Sequence, residues 1–426
     1  MMISRTVELL GTVLFALAVL HTFCIKQFQH LAHRFPQNSV ARNFFHLLGE
    51  VEIVFGLWAG ILSVTMILLA GNRATIDYID RLNFTEPAFV FAIMTIAATR
   101  PVLEFANSLI NWIARIVPLP GEIRYYLVIL IVGPLLGSLI TEPAAMTVTA
   151  ILMKDRFFSR NLSDQFKYVS LAVLFVNISI GGALTSFAAP PVLMVAGTWQ
   201  WNSSYMFSHF GWKAVVAVVL NTALAILWLG KELKMLQPLP IQPGVVTSPW
   251  GLRLAHLVFL ALVVLTSHHI PVFLALSMFF LGLATVTREF QDELKLKESL
   301  LVAFFLAGLV VFGGVQRWWL EPLISGLQAF PLFLGTTVLT AFTDNAALTY
   351  LGSQLPNISL EFKHALVAGA VAGGGLTVIA NAPNPAGFTI LQGTFGKEGI
   401  SPAGLIQAAL IPSLVAMACL WWLPSL

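Results

Sequence analysis

Two acidic residues stand within long apolar stretches, where a carboxylate is costly unless it has a chemical task. Glu142 lies in the stretch 124–153 and Asp344 lies in the stretch 328–356. A charged side chain at the centre of a bilayer costs roughly 2.5 kcal/mol or more, so such residues usually mark ion or proton pathways. A buried carboxylate can hold either a proton or a metal ion, and each can displace the other. The alternative is that each acid only caps the helix that follows it, where the helix dipole favours negative charge.

The composition is that of a protein whose solvent is lipid. Of 426 residues, 58% are hydrophobic and only 10% are charged, whereas soluble domains carry about 25% charged residues. The net charge of +3 comes from basic loops, so no nucleic-acid partner is expected. The sequence contains no His-Glu-x-x-His or Gly-x-Ser-x-Gly pattern, which argues against an enzyme. Cys24 and Cys419 predict neither a disulfide framework nor a zinc site, so we expect no cofactor and no metal beyond a transported cation.

Apolar runs of bilayer length predict an all-α polytopic membrane protein with ten crossings. Two further stretches, 124–153 and 328–356, are each about 30 residues long and interrupted midway. Such a stretch suits two short antiparallel helices that form a re-entrant hairpin. The first run also resembles a signal peptide, and we expect it to be retained as a helix. The ten predicted crossings are 6–25, 44–70, 86–104, 168–198, 212–230, 252–267, 271–286, 298–316, 362–394 and 402–421.

Lysine and arginine side chains predict the orientation, because cytoplasmic loops carry an excess of both. They concentrate in loops of one parity, such as 26–43 and the ends of the stretch 124–153, whereas 199–211 has neither. The loop that holds Arg73 and Arg81 fits this pattern less well. We therefore expect a multi-pass protein of the bacterial inner (cytoplasmic) membrane with both termini outside.

Three short motifs recur in the same order in the two halves of the chain. The matched segments are Thr141–Thr147 with Thr343–Thr349, Gly181–Thr185 with Gly373–Thr377, and Arg100–Glu104 with Arg317–Glu321. With five crossings in each half, the second half enters the membrane upside down relative to the first. This is an inverted-topology repeat, in which the binding site lies at the midplane between the repeats. We predict a first repeat at 1–235, a cytoplasmic linker at 236–250 and a second repeat at 251–426.

Each half supplies a hairpin tip and a broken helix, which together predict a cation site. Within the broken helices 168–198 and 362–394, Gly-Gly followed by prolines cannot remain regular helix. Unwound backbone frees carbonyl groups, and we expect a bound cation to be a partner for them. The alternative is that glycine and proline only allow close helix packing. The predicted ligands are the carboxylates of Glu142 and Asp344 and the neutral oxygens of Thr141, Asn177, Thr185, Ser186, Thr343, Asn345, Thr377, Asn381 and Asn384.

Charged residues away from the tips are candidates for a proton relay or a gate. Glu52 lies in the second predicted crossing, deeper than Glu50, and is the preferred relay residue. Residues four apart can meet on one helix face, and two Arg–Glu pairs with this spacing stand near predicted helix ends. We favour a structural anchor for both pairs, with relay or gating as the alternative. The pairs are Arg100 with Glu104 and Arg317 with Glu321.

At these motifs the chain resembles the ion transporter superfamily, which includes arsenite permeases, divalent-anion/sodium symporters and one group of sodium/proton antiporters. Asn177-Ile178, Gly181-Gly182 and Pro190-Pro191 look like its Asn-Ile-Gly-Gly…Pro-Pro motif, and Thr343-Asp344-Asn345 looks like its acidic hairpin tip. The resemblance covers most of the chain from about residue 44 and is greatest to a small group described as sodium/proton antiporters. It implies an elevator-like or rocking alternation between two states.

The tips depart from those of the carboxylate-transporting members, which resemble one another in having Ser-Asn-Thr at both. Here the tips contain Glu142 and Asp344, and a fixed carboxylate would repel an anionic substrate. At the first tip we expect Thr141 to be an N-cap and Pro143 to suit the first turn of the returning helix. Pro143 stands where the superfamily has asparagine.

The sequence therefore predicts a secondary transporter that exchanges Na⁺, or another monovalent cation, for H⁺ through Glu142 and Asp344. One alternative from the same superfamily is a carrier for arsenite-like oxyanions or small carboxylates, which would need Arg100 and Arg317 to line its pocket. A passive channel is a further alternative. The expected partners are the cation, the proton and the lipid bilayer, and a homodimer is left open.

Overall fold

The fold is described from a computed structural model that covers residues 5–237, 247–324, 326–396 and 399–426. Throughout these ranges the chain is helical and contains no strand. Of the predicted linker 236–250, residues 238–246 lie outside the described part of the chain.

The helices follow one another with short connections. The first thirteen are α1 (Arg5–Phe23), α2 (Ile25–Ala32), α3 (Val40–Leu48), α4 (Val54–Ala70), α5 (Asn72–Ile79), α6 (Thr85–Ala97), α7 (Arg100–Ile116), α8 (Gly121–Ile140), α9 (Glu142–Met153), α10 (Asp164–Gly181), α11 (Pro190–Trp199), α12 (Ser203–Met206) and α13 (Trp212–Met235). The remainder are α14 (Trp250–Leu265), α15 (Ile270–Val286), α16 (Leu296–Ile324), α17 (Ala329–Thr340), α18 (Asn345–Ser353), α19 (Leu360–Gly373), α20 (Asn384–Leu391) and α21 (Pro402–Trp422). Short 3-10 turns lie at Val51–Ile53, Gly182–Leu184, Arg288–Phe290 and Gln392–Thr394, and π turns at Lys154–Phe158 and Phe207–Gly211.

The helices are those of a polytopic membrane protein. In the described ranges, seven helical segments are long and apolar enough to cross a bilayer, and the pair α6 and α7, bent by 67°, would form an eighth span. Three of the ten predicted crossings do not qualify, because their helices α14, α15 and α19 have only 16, 17 and 14 residues. In the first predicted hairpin, α8 has 20 residues and is long enough to span alone. In the second, α17 and α18 have only 12 and 9 residues.

Contacts divide the chain into two compact units. The first unit comprises Met1–Phe91, Leu296–Gln328 and Tyr350–Ile358. Within it α16 packs closely on α4, because Gly308 leaves room for the backbone of Phe55.

The second unit comprises Ala92–Lys295, Ala329–Thr349 and Ser359–Leu426. It contains the first tip (Thr141–Pro143, between α8 and α9), the second tip (Thr343–Asn345, between α17 and α18) and both broken helices. This grouping does not follow the order of the two predicted repeats, which stay a prediction.

Glycines in the second unit let each broken helix approach the helix before the neighbouring tip. A side chain at Gly181 would collide with the backbone carbonyl of Pro134 in α8, and one at Gly373 would collide with that of Thr337 in α17. Helix α8 therefore lies against α10, and α17 against α19, at the distance that only glycine allows.

Threonine hydrogen bonds fasten the same two pairs of segments. The hydroxyl of Thr185, after α10, donates to the carbonyl of Ser138 at 2.9 Å. The hydroxyl of Thr377, after α19, donates to the carbonyl of Ala341, also at 2.9 Å. The two bonds occupy corresponding places, each joining a break to the end of the helix that leads into a tip.

An ion pair joins the start of α8 to the π turn that follows α9. The carboxylate of Glu122, which is 1% exposed, accepts a hydrogen bond from Nε of Arg156 at 2.6 Å, and Arg160 lies 3.7 Å from the same carboxylate. A buried carboxylate here is thus compensated by arginine.

Candidate functional site

Both of the helices expected to break end close to the predicted positions. Helix α10 ends at Gly181, the 3-10 turn Gly182–Leu184 follows, and α11 begins at Pro190. Helix α19 ends at Gly373 and α20 begins at Asn384. Proline cannot continue a preceding helix, so the local sequence itself causes the interruptions.

The first tip holds its acid in a strained backbone. Thr141 has φ 75° and ψ 149°, a conformation that costs of order 1–3 kcal/mol for a residue other than glycine and that clusters at functional sites. We expected Thr141 to cap α9 with its hydroxyl, but its side chain makes no cap bond. The strained residue instead turns the chain so that Glu142 becomes the first residue of α9.

Glu142 is a completely buried carboxylate without a basic partner among the described residues. It is 0% exposed, and its Oε2 accepts a hydrogen bond from Nδ2 of Asn381 at 2.9 Å. Its Oε1 has no hydrogen-bond partner in the described part of the chain. Glu122, by contrast, is buried against Arg156. The environment of Glu142 therefore calls for a positive charge that the surrounding side chains do not supply, either a proton or a cation.

Gly182 provides the space that the Glu142 carboxylate occupies. A side chain at this glycine would overlap Oε1 and the carboxyl carbon of Glu142. The glycine of the first break thus lies directly against the acid of the first tip.

The second tip uses its acid differently. Asp344 is half-buried, and its Oδ1 accepts from the backbone N–H groups of Ala346 at 2.8 Å and Ala347 at 3.3 Å. Asp344 therefore caps α18, as one of the interpretations of the sequence foresaw. At the first tip, Pro143 has no N–H at the place that corresponds to Asn345, whose N–H donates to the carbonyl of Ala380, so the first tip cannot make the corresponding bond.

The two acids are nevertheless neighbours. The second break joins their two tips, because Asn381 donates to Glu142 at 2.9 Å and the carbonyl of Ala380 accepts from the N–H of Asn345, the residue after Asp344, at 3.1 Å.

Asn345 brings a second set of polar atoms to the same region. It is 0% exposed, and its backbone N–H donates to the carbonyl of Ala380 in the second break at 3.1 Å. Neither polar atom of its side chain has a partner in the described ranges. Gly374 leaves room for the amide of Asn345, since a side chain there would contact it.

Oxygen atoms without a partner are the shared feature of this region. Buried side-chain oxygens that accept no hydrogen bond from the described residues include one each from Thr141, Glu142, Asn345, Asn381 and Asn384. Hard cations are bound by sets of carboxylate, amide and hydroxyl oxygens of this kind. We refer to these five residues as the oxygen cluster.

The carbonyl groups of the breaks were expected to need a cation, but the protein satisfies several of them itself. The amide of Asn384 donates to the carbonyls of Gly374 at 2.7 Å and Thr377 at 2.8 Å. The hydroxyl of Ser138 donates to the carbonyl of Gly181 at 2.7 Å. The candidate ligands are therefore side-chain oxygens, and these three carbonyls serve to hold the breaks in shape.

Four of the predicted ligands make bonds that lead away from the oxygen cluster. The hydroxyls of Thr185 and Thr377 donate to the carbonyls of Ser138 and Ala341, as described above. Ser186 pairs with Ser203 at 3.2 Å. Thr343 donates to the carbonyl of Leu339, one turn back, at 3.0 Å. These side chains shape the segments around the cluster.

Asn177 is fully engaged in helix packing. Its Nδ2 donates to the carbonyl of Leu130 at 2.9 Å and to the hydroxyl of Thr222 at 3.1 Å. Its Oδ1 accepts from Asn221 at 3.0 Å. The side chain thus joins α10 to α8 and α13, and its oxygen is not offered to an ion.

We expect Asn177→Ala to lower the free energy of unfolding by about 3 kcal/mol, because it leaves buried partners without hydrogen bonds, while the KM for any transported cation stays unchanged. Thermal unfolding in detergent and transport kinetics measure the two effects. Asn107→Ala, at an exposed position, is the control and should change neither. An increased KM with an unchanged free energy of unfolding would show that Asn177 is a cation ligand.

Two of the residues predicted as relay or gate, Arg100 and Glu104, form ion pairs elsewhere in the second unit. Nε of Arg100 donates to Asp292 at 2.9 Å, and this hydrogen bond lowers the pKa of Asp292. Glu104 pairs with Arg253 at 3.0 Å rather than with Arg100. These pairs join α7 to segments around α14 and α15, as anchors do.

The remaining three charged candidates lie in the first unit. Arg317 pairs with Glu321 on one face of α16 at 3.3 Å, and both side chains are about half exposed. Glu52 lies half-buried in the 3-10 turn before α4.

Sequence reasoning missed two serines that connect the site. Ser138 holds the first break, and Ser179 donates to the carbonyl of Val371 in α19 at 2.8 Å. Val371 is among the last four residues of α19, whose carbonyls lack helical partners, so Ser179 closes this helix end from α10. Their positions were the available signal, since Ser138 lies one turn before Glu142 and Ser179 stands two residues before Gly181.

Comparison with known protein families finds a match over nearly the whole chain. The sequence model of the family described as "Putative Na+/H+ antiporter" matches residues 6–423. A comparison with curated proteins finds no match.

Proposed function

Because the chain belongs to this Na⁺/H⁺ antiporter family, we propose that it is a secondary active transporter that exchanges Na⁺, or another monovalent cation, for H⁺. The site that we assign to the exchange is the oxygen cluster together with Asp344. Its two carboxylates, Glu142 and Asp344, supply the negative charge, and the amide and hydroxyl oxygens complete the coordination.

The observation that carries this proposal is the state of Glu142. Its carboxylate is 0% exposed, has no basic partner among the described residues, and keeps Oε1 without a hydrogen bond. An isolated buried carboxylate is strongly disfavoured, so it either takes a proton or coordinates a cation. Since one group cannot hold both at Oε1, each ion displaces the other.

Alternating access converts this competition into transport. A site that opens to one side releases its proton where protons are scarce and takes a cation, and the reverse exchange occurs on the other side. The coupling needs no enzyme chemistry and no cofactor, only that the empty site, with an uncompensated buried carboxylate, crosses between the two states rarely.

The proposed architecture is the inverted repeat that the sequence predicts, with 1–235 and 251–426 as its halves. It is supported by the corresponding bonds of Thr185 and Thr377 and by the corresponding approaches of Gly181 and Gly373. The placement in the bacterial inner membrane with both termini outside follows from the distribution of basic residues and belongs to the same proposal.

An anion carrier gains no comparable support. It would need Arg100 and Arg317 to line the pocket, but Arg100 is paired with Asp292 and Arg317 with Glu321. The cluster instead presents carboxylate and amide oxygens, which repel an anion.

The test is cation-driven proton movement in proteoliposomes that contain the purified protein and a pH-sensitive dye. With a pH gradient imposed, added Na⁺ should collapse the gradient, and Li⁺ and K⁺ are compared in turn. We expect the double variant Glu142→Gln/Asp344→Asn to give no response. Glu321→Gln, which removes an exposed acid of the first unit, is the control and should respond as the unmodified protein does. A normal response in the double variant would remove both acids from the mechanism.

A further inference from the structure

The two acids of the site differ in the groups that stabilise their negative charge. Among the described residues, Glu142 makes one side-chain hydrogen bond, to Asn381, and its Oε1 has no partner. Asp344 accepts two backbone N–H groups at the start of α18. We infer that Glu142 alone exchanges its proton for the cation, that Asp344 remains a fixed negative charge, and that the protein exchanges one monovalent cation for one proton without net charge movement.

This inference rests on the proposed function and specifies its stoichiometry. The exchange at the site is Glu142–COO⁻·Na⁺ + H⁺ ⇌ Glu142–COOH + Na⁺. Both loaded forms carry the same charge, because a bound proton and a bound monovalent cation neutralise the same carboxylate. A second titrating acid would add a second proton to one form and would make the exchange electrogenic.

The burial of Glu142 assigns it the exchanging role. The residue is completely enclosed and faces the backbone at Gly182 on one side and Asn381 on the other. Asn381 donates to Oε2, which leaves Oε1 as the atom that takes the proton or the ion. A neutral Glu142 is compatible with this environment, and so is a Glu142–cation pair, whereas the bare carboxylate is not.

The cap at Asp344 assigns it the fixed charge. Two N–H groups and the positive end of the α18 dipole favour the ionised form, and hydrogen bonds to an ionised acceptor are stronger than neutral ones. A proton on Asp344 would weaken this cap. Asp344 is also only half-buried, so its charge is less costly than that of Glu142. Its field attracts the cation without taking part in the exchange.

Charge movement and pH dependence measure the number of protons. In proteoliposomes with Na⁺ on both sides, a K⁺ gradient and valinomycin set the membrane potential. This protocol requires that the protein does not exchange K⁺ itself. If it does exchange K⁺, Li⁺ replaces Na⁺ and a tetraphenylphosphonium gradient sets the potential. We expect the equilibrium distribution of Na⁺ against H⁺ to be the same at 0 and −100 mV. One net charge per cycle would shift it by about 50-fold over this range. We also expect the logarithm of the apparent KM for Na⁺ to rise by one per unit fall in pH in the acid range, whereas two exchanging protons would give a slope of two.

Single variants separate the two acids. Glu142→Gln should abolish exchange. Asp344→Asn keeps an N-cap residue, so the helix end is preserved, and it should raise the KM for Na⁺ about tenfold through loss of a nearby charge while keeping the slope of one and the independence of potential. Thermal unfolding confirms that both variants fold.

The outcomes distinguish this inference from the proposed function. Absence of any cation-dependent proton flux in the unmodified protein would overturn both. Exchange that depends on potential, a slope of two, or a slope that falls from two to one in Asp344→Asn would retain the antiport and overturn the single-carboxylate assignment.

Discussion

Gly182→Ala is expected to reduce the proposed Na⁺/H⁺ exchange by about 100-fold, because the added methyl group occupies the place of the Glu142 carboxylate. Displacement of a reacting group by about 1 Å can cost this much in rate. The backbone at Gly182 has φ −71° and ψ −15°, which alanine adopts without strain, so the protein should fold. The measurement is the initial rate of Na⁺-driven proton flux at matched protein density.

A compensating substitution at Glu142 and a control substitution at another glycine make the test of Gly182→Ala specific. Glu142→Asp shortens the acid by one methylene group, so combining it with Gly182→Ala should restore part of the lost exchange, by about tenfold relative to Gly182→Ala. Gly230→Ala, in α13, adds a methyl group with nothing within 4 Å and should leave exchange unchanged. Full activity in Gly182→Ala would show that the carboxylate does not need this position.

Asn381→Ala is expected to raise the KM for Na⁺ by about 10- to 100-fold and to change the maximal rate less. The substitution removes the hydrogen bond to Oε2 of Glu142 and the free Oδ1 of the oxygen cluster. A hydrogen bond to a charged group contributes about 1.5–3 kcal/mol, which corresponds to this range of affinity. The KM is measured from proton flux at increasing Na⁺ concentration.

Asn177→Ala provides the matched comparison, since both asparagines are almost completely buried. Asn381→Ala should change cation affinity with little loss of stability, and Asn177→Ala should do the opposite. Equal effects on KM in the two variants would mean that general destabilisation, rather than loss of a ligand, explains the result for Asn381.

The local interruptions of the helices could be predicted because their causes are local. Proline begins α11 at Pro190, and Gly373 ends α19; each acts on its own backbone. The positions of Glu142 and Asp344 at helix starts follow in the same way. The number of spans was less predictable, because apolar composition does not distinguish α14, with 16 residues, from a longer crossing.

The direction of each side chain could not be predicted from its own segment. Asn177 and Asn381 are both asparagines of broken helices, yet one binds helices α8 and α13 and the other binds Glu142. The partner of Glu142 lies 239 residues away in the chain. Only the packing of α9 beside the second break decides that these two side chains meet.

The sequence by itself determined that the chain is membrane-embedded, where its helices are interrupted, and that two acids stand at the interruptions. These features depend on composition and on the backbone preferences of glycine and proline. The tertiary structure decided which partners each acid meets. Asp344 accepts hydrogen bonds from the N–H groups of its own helix, whereas Glu142 accepts its hydrogen bond from Asn381 in the other half of the chain.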